Sequence, residues 1–255
     1  MLLEQAIMDY VNLNKSARQV ARDYGLSKDK VTLELHKRGL MRSKPDNSYN
    51  KSYFKIIDSE SKAYWLGFIY ADGCVKSGGQ NVLEICLSVR DENHLYKFKE
   101  DINFKGHINR KGVDTKYPSC RLRLFGKEII EDLINQGAYP RKSLILDFPK
   151  LVPKHLLRHF IRGYFDGDGS VYISNSKLSI SFLGTESFLI SLQEVFIQEL
   201  NLTKVQIYKH SNITEYKKSR KDALKILDYM YKDCTIYLDR KFNKYAHLTQ
   251  SLREC

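Results

Sequence analysis

The feature that most constrains the fold of this chain is an internal repeat. Residues 63–75 and residues 159–171 align at an offset of 96, which superposes Gly67, Asp72 and Gly73 on Gly163, Asp168 and Gly169. Farther along, two patterns repeat at nearly the same offset: an apolar triplet (Leu83, Ile85, Leu87; Leu178, Ile180, Phe182) and a basic pair (Arg141-Lys142; Arg240-Lys241). A match sustained over roughly 80 residues indicates duplication of one structural unit.

Each copy of the repeat has the pattern helix, strand, strand, helix, strand, strand, helix. Apolar residues that alternate with polar ones indicate strands with one buried face. A helical stretch follows the alternating triplet in each copy, at Glu92 to Ile102 and at Glu186 to Leu200. After the repeated motifs, elements are expected at 92–102, 105–113, 119–125, 127–136, 170–175, 178–184, 186–200, 205–211, 214–219 and 221–232. This order predicts an α+β fold with an antiparallel sheet in each half, residues 59–152 and residues 153–255.

The two motif segments carry small residues at helical spacing. Gly67 and Ala71 are four residues apart, as are Gly163 and Gly167, so each pair lies on one face of a helix. Small side chains on such a face allow two helix backbones to come into contact. We therefore expect the two motif helices to pack against each other about a pseudo-twofold axis.

Each motif helix is expected to end in an Asp-Gly pair, at Asp72 and at Asp168. Glycine is common just past a helix C-terminus, but an aspartate there faces the negative end of the helix dipole. Packing the two helices together adds repulsion between the carboxylates. Mg²⁺ relieves both effects, because it binds carboxylate oxygens and can also hold a phosphate. An ordinary capped helix end is the better interpretation for a single copy, whereas the duplication favours a metal site.

The two segments resemble the paired motifs of the single-chain LAGLIDADG homing endonucleases. Residues 160–169 are a close match, whereas the first motif, with Tyr70, is a looser one. The resemblance covers residues 60–252, and two motifs at the right separation make it specific. It implies a pseudo-twofold, duplicated αββαββα fold with saddle-shaped sheets. It also implies that the last acidic residue of each motif binds metal, which assigns this role to Asp72 and Asp168.

The resemblance further implies a reaction and its partners. A monomer would hydrolyse one phosphodiester in each strand of a long, asymmetric double-stranded DNA target, with Mg²⁺ or Mn²⁺ as cofactor and Ca²⁺ as a non-cleaving substitute. Lys142 and Lys241 would bring a positive charge to each cleavage centre, with Arg141 and Arg240 as rivals; solvated lysines are the alternative interpretation. Two other functions are possible on this fold: a transcriptional regulator that does not cleave DNA, and a maturase that binds intron RNA.

Residues 1–44 are expected to form a separate helical module, joined by a linker at 45–58. Three residues have the spacing of a helix-turn-helix: Ala21, Gly25 and Val31. Ser27 is a good N-cap for the second helix of that motif, which would run to about Lys37. Two lysines at the start of this helix would face the major groove of DNA: Lys28 and Lys30. The alternative is a helical hairpin that contacts no nucleic acid.

In the family, the two sheets lie over the major groove, so alternate strand residues would face DNA. The residues expected to point into the core are Val171, Ile173, Val205 and Ile207, with Leu122 and Leu124 in the first half. The residues expected to contact DNA are Arg121, Arg123, Ser170, Tyr172, Ser174, Gln206, Tyr208 and His210. Arginine and glutamine can read base edges, although each of these residues could equally be an ordinary exposed side chain.

The composition favours a nucleic-acid partner. Lys and Arg total 42 against 30 for Asp and Glu, and the resulting net charge of +12 attracts polyanions. No apolar run approaches the roughly 18 residues of a membrane span. The five cysteines are scattered without a C-x-x-C pair, so we expect neither structural zinc nor disulfides. Reduced thiols favour a cytoplasmic location, in a bacterial or phage-infected cell, or an organelle matrix.

Overall fold

A computed structural model describes residues 1–43, 45–174, 177–210 and 213–253 of the chain, which divides into two units, Met1–Asp46 and Asn47–Cys255. Within those ranges, no helix combines the length and the apolar character that crossing a lipid bilayer requires.

The first unit contains three short helices, α1 (Leu2–Asn12), α2 (Ala17–Asp23) and α3 (Lys28–Lys37). The hydroxyl of Ser27 accepts a hydrogen bond from the backbone N–H of Lys30 and caps α3, as the sequence predicts. Gly25 makes the preceding turn with a φ of +62°. The unit has its own small core of buried residues: Ala6, Ile7, Tyr10, Val20, Ala21, Val31 and Leu35.

The second unit contains the same order of seven elements twice, which confirms the duplicated αββαββα fold. The first copy consists of α4 (Glu60–Asp72), β1 (Gly73–Lys76), β2 (Val82–Ser88), α5 (Glu92–Asp101), β3 (Asn109–Lys111), β4 (Ser119–Phe125) and α6 (Lys127–Asn135). The second consists of α7 (Leu157–Asp168), β5 (Gly169–Ser174), β6 (Lys177–Gly184), α8 (Glu186–Leu200), β7 (Tyr208–His210), β8 (Ile213–Ser219) and α9 (Arg220–Tyr231). A further helix, α10 (Asp239–Arg253), follows and was not expected.

Each copy forms a four-stranded antiparallel sheet with the same topology. The strand orders are β1-β2-β4-β3 and β5-β6-β8-β7. Gly73 pairs with Ile85 in the first sheet, and Gly169 pairs with Phe182 in the second. Ile85 and Phe182 are fully buried, so the alternating apolar residues face the core beneath the motif helices.

Two predicted strands are shorter than expected because their backbones are held elsewhere. In the segment 105–113, only Asn109–Lys111 pairs with β4, since the N–H of Lys105 donates to the carbonyl of Ser48 at 2.9 Å. In the segment 205–211, strand pairing begins at Tyr208, since the N–H of Val205 donates to the side chain of Gln193 on α8 at 2.6 Å.

The expected linker at 45–58 is wrong in its second half. Tyr53, Phe54 and Ile57 are buried in the core of the second unit. The N–H of Asn50 also donates to the carbonyl of Ile102 at 2.9 Å. These apolar side chains bury surface that a free linker would leave in water.

Candidate active site

The two motif helices, α4 and α7, contact each other through small residues. A Cβ atom at Gly67 would lie 2.0 Å from a backbone oxygen of α7, and one at Gly163 would lie 1.9 Å from a backbone oxygen of α4. A Cβ at Gly167 would lie 2.3 Å from the Cβ of Ala71. The structure thus brings together all four residues that were expected at this contact, and larger side chains would not fit there.

Each motif helix passes directly into a strand at the glycine that follows its aspartate. Gly73 and Gly169 have φ angles of −76° and −85°, so neither adopts the left-handed conformation that often ends a helix. Space requires glycine instead. A Cβ at Gly73 would lie 2.7 Å from the carbonyl oxygen of Ile69, and one at Gly169 would lie 2.1 Å from the ring of Phe165. The direct transition places both aspartates at the last helical position.

Asp72 and Asp168 lie close together where the two helices end. Both residues reach solvent, and a Cβ at Gly167 would lie 3.3 Å from Oδ2 of Asp72. Neighbouring atoms displace part of their water: this burial, followed by the charge of Asp168, raises the pKa of Asp72 to about 6. Burial also raises the pKa of Asp168. The result is an open pair of carboxylates that repel each other.

The predicted lysines lie at equivalent positions in the two halves. Nζ of Lys142 donates to the carbonyl oxygen of Gly73, and Nζ of Lys241 donates to that of Gly169. Lys241 also donates to the carbonyl oxygen of Phe165. Burial lowers the pKa of both lysines, to about 8 for Lys241, which is 3% exposed.

The electrostatic pairing of these four groups is crossed between the repeats. Against the burial that raises both carboxyl pKa values, Lys241 lowers the pKa of Asp72 more than Lys142 does, whereas Lys142 has the larger effect on Asp168. Lys142 and Asp168 also line one cavity of about 260 Å³. The charge of each aspartate is therefore affected most by the lysine of the other repeat, while each lysine is hydrogen-bonded beside the aspartate of its own repeat.

Comparison with known proteins shows what the second unit resembles. Residues 155–225 match the model of the LAGLIDADG-like domain family. The second repeat thus resembles this family in sequence. The fold likeness extends to both repeats and includes LAGLIDADG homing endonuclease structures. I-GzeII in complex with its DNA target has a TM-score of 0.50 and 13% identity, over 75% of this chain and 91% of that one. I-LtrWI bound to target DNA has a TM-score of 0.51 and 11% identity, over 80% and 92%.

Curated relatives share less of their length with this chain. A probable translation initiation factor IF-2 of Methanocaldococcus jannaschii is 25% identical over 217 residues, which are 84% of this chain and 17% of the relative. An uncharacterized protein of the same archaeon is 28% identical over 176 residues, or 64% of this chain and 62% of that protein. The chain thus spans about a sixth of the first relative and under two thirds of the second.

The residue two positions before each motif aspartate is buried, away from the open carboxylate pair. Asp166 accepts hydrogen bonds from the hydroxyl of Tyr64 and the N–H of Leu238, both at 2.7 Å, and from the hydroxyl of Tyr231. Tyr70, its counterpart, donates to a backbone carbonyl at 2.6 Å. The sequence interpretation missed this buried network, whose only local signal is a second aspartate inside an apolar helix.

The sheet residues that were expected to contact DNA have mixed surroundings. Arg123 and Arg121 lie on the outer face of β4 but form ion pairs with Glu84, at 2.7 and 3.4 Å. Tyr172, Gln206 and Tyr208 are exposed, as is Ser170. The side chains of Ser174 and His210 lie outside the described part of the chain.

The residues that were expected to point into the core also have mixed surroundings. Val171 is buried, and Val205 and Ile207 pack against the core. The prediction for Ile173 is wrong, since this side chain is 59% exposed. Ile173 pairs with Leu178, and its side chain lines an open cavity together with Val171 and Leu248.

In the first unit, Lys28 and Lys30 are exposed on α3.

Among the described residues of the whole chain, no group of three or more His, Cys, Asp or Glu side chains could hold a metal ion.

Proposed function

We propose that this protein is a metal-dependent endonuclease that cuts both strands of a long, asymmetric DNA site. The observation that carries the proposal is the open pair of Asp72 and Asp168, each with a lysine of the other repeat nearby. Two like-charged carboxylates at one helix contact raise the energy of the metal-free protein. Each repeat supplies one aspartate and one lysine, and this twofold arrangement suits a reaction at two phosphates.

DNA binding is supported by charge and by exposed side chains. The chain has a net charge of +12, and Tyr172, Gln206 and Tyr208 are exposed near the sheets of the second repeat. The structures of I-GzeII and I-LtrWI, which share the fold, contain DNA targets. Because the two repeats differ in sequence, the two halves of the target would differ too. Lys28 and Lys30 on α3 would add contacts through the proposed helix-turn-helix.

The carboxylates fit a hard divalent cation such as Mg²⁺ or Mn²⁺. Both donors are oxygen atoms, and both reach solvent. Burial, followed by repulsion from Asp168, raises the pKa of Asp72, and positive charge relieves the repulsion. Such a metal supplies charge that binds a phosphate and favours ionisation of an attacking water. The remaining ligand positions suit phosphate oxygens and water.

The chain's own contribution is positioning and charge. Carbonyl oxygens fix Nζ of Lys142 and of Lys241, so neither lysine has to be ordered when DNA binds. Each ammonium group would offset the charge that develops on the reacting phosphate. The crossed arrangement makes each repeat contribute to both strand cuts, so that one monomer suffices.

Two other functions predict different behaviour. A regulator that only binds DNA gains nothing from two repelling carboxylates, and a maturase would prefer intron RNA to duplex DNA. Affinity for structured RNA, compared with affinity for duplex DNA at one salt concentration, separates the maturase from the endonuclease.

Cleavage is tested after target selection. A randomised duplex library is enriched for binding in Ca²⁺, and a plasmid carrying the enriched site is incubated with Mg²⁺ or with EDTA. Linear product in Mg²⁺ alone is expected. Asp72→Asn and Asp168→Asn should each abolish double-strand cleavage and keep DNA affinity within roughly tenfold. Asp114→Asn, in an exposed turn of the first repeat, is the matched control and should cleave normally. Wild-type rates in either motif variant would refute the proposed function.

A further inference from the structure

The two segments that carry the lysines are each held by the opposite repeat. We name residues 139–150, which contain Lys142, the first lysine segment, and residues 232–241, which end at Lys241, the second lysine segment. Both lysines point at the ends of the motif helices. The contacts that hold the two segments determine how accurately each ammonium group is placed.

The second lysine segment is bound by α5 of the first repeat and by the turn before that helix. Nζ of Lys97 lies 2.6 Å from Oδ1 of Asp239 and donates to the carbonyl oxygen of Tyr237 at 3.0 Å. The amide of Asn93 donates to Asp239 at 3.1 Å, and Arg240 forms a 3.1 Å ion pair with Asp91. These contacts involve the residues immediately before Lys241.

The first lysine segment is bound in the same way by α8 of the second repeat, the helix equivalent to α5. Oγ of Ser187 donates to Oδ1 of Asp147 at 2.8 Å, and the hydroxyl of Thr185 donates to the carbonyl oxygen of Leu146. The ring of Phe148 packs against Phe188, with 5.4 Å between the centroids. The two attachments are therefore related by the duplication, but they differ in chemistry.

We propose that α5 and α8 each position the catalytic lysine of the other repeat, with Lys97 and Ser187 as the principal positioning residues. This inference rests on the proposed function and adds a prediction that the fold alone does not make. Loss of one attachment should slow the cut of one strand only. A general loss of stability would instead slow both strands.

The attachments should also respond differently to salt. The side chains of Lys97 and Asp239 are 28% and 48% exposed, so their ion pair is screened by added salt. The attachment of the first lysine segment consists of neutral donors, a carboxylate acceptor and aromatic packing, which salt affects less. High salt should therefore slow the cut that depends on Lys241 more than the cut that depends on Lys142.

The test measures the two strands separately. The selected duplex carries a different fluorophore on each strand, and the full chain is assayed as wild type, Lys97→Met and Ser187→Ala. Lys241→Met and Lys142→Met identify which strand depends on which lysine. Lys97→Met should slow the Lys241-dependent cut roughly tenfold and accumulate nicked DNA. Ser187→Ala should slow the other cut. Lys99→Met, on the same helix, is the control and should leave the ratio of the two rates unchanged.

A second readout is independent of cleavage. The free protein is treated with an acetylating reagent, and the modification rates of Lys142 and Lys241 are measured by mass spectrometry. Lys97→Met should increase acetylation of Lys241, which is buried in the wild type, and leave Lys142 unchanged. Equal slowing of both strands, or unchanged acetylation of Lys241, would overturn the inference. A wild type that cuts neither strand would refute the proposed function, while the acetylation rates would still decide the positioning.

Discussion

Replacing Gly163 by alanine tests the helix contact on which the site depends. The added Cβ would lie 1.9 Å from the carbonyl oxygen of Tyr64, whereas ordinary contacts begin at 3.4 Å. The obstacle is backbone rather than a movable side chain, so α4 and α7 would have to separate by about 1.5 Å at this point. That separation loosens packing along both helices and moves Asp72 away from Asp168.

The expected cost follows from the nature of this obstacle. Overpacking of a well-packed core costs about 1–3 kcal/mol when side chains can adjust. Because backbone atoms must move here, we expect a loss of about 3 kcal/mol in the free energy of unfolding. For a domain of this size, that loss lowers the Tm by roughly 6–12 °C. Gly67→Ala should cost about the same, because its Cβ would meet a carbonyl oxygen of α7 at 2.0 Å.

Trp65 provides the assay, since it is the chain's single tryptophan and is fully buried in α4. Its fluorescence during urea unfolding reports on the second unit. Gly126→Ala is the matched control: this glycine has extended backbone, and its Cβ would meet only the hydroxyl end of Tyr49 within 3 Å. If Gly163→Ala were within about 0.5 kcal/mol of the control, the reasoning about the helix contact would be wrong.

Three further predictions concern charge. The pKa of Asp72 is about 6 in the folded protein, above its value of about 3.9 in the unfolded chain. The contribution of Asp72 to the stability of the folded protein is therefore complete below pH 4 and is lost as the pH rises through 6. Asp72→Asn should therefore stabilise the metal-free protein by about 1 kcal/mol at pH 8, a value reduced because Asp72 is exposed to solvent. At pH 4 the substitution should have no effect, and an equal change in the free energy of unfolding at both pH values would contradict this prediction. Glu60→Ala should cost about 2 kcal/mol in urea unfolding, because it removes the 2.7 Å ion pair of the fully buried Arg162; a neutral result would show that the remaining carbonyl acceptors suffice. Lys28→Ala combined with Lys30→Ala should weaken DNA binding and reduce the slope of log affinity against log salt by roughly 2, whereas an unchanged slope would remove α3 from the interface.

The sequence was sufficient for the features that repeat and insufficient for those that depend on tertiary partners. The duplication located the motif helices and their contact, because Gly67 and Gly163 have a requirement that is visible in both copies. The buried hydrogen-bond network of Asp166 depends on Tyr64 and Tyr231, which approach this residue only in the folded chain. Similarly, Glu84 lies opposite Arg123 through strand register, which composition does not determine.

Two differences between the predicted and the observed elements have a local signal in the sequence. In the predicted linker, Tyr53, Phe54 and Ile57 have the spacing of a buried turn of helix. In α10, Phe242, Tyr245 and Leu248 are three residues apart and pack against the core. Ile173 is a different case, since alternation predicts the face of a strand but not whether an open cavity lies beside that face.

The central claim is that two touching helices deliver Asp72 and Asp168 to one metal site at the scissile phosphates. The most direct measurement is anomalous diffraction from crystals of the full chain with its selected DNA and Mn²⁺. A manganese peak in contact with oxygens of both aspartates and with a DNA phosphate is expected. Crystals that contain DNA and Mn²⁺ but show no metal at the aspartates, or aspartates turned away from the DNA, would contradict the account.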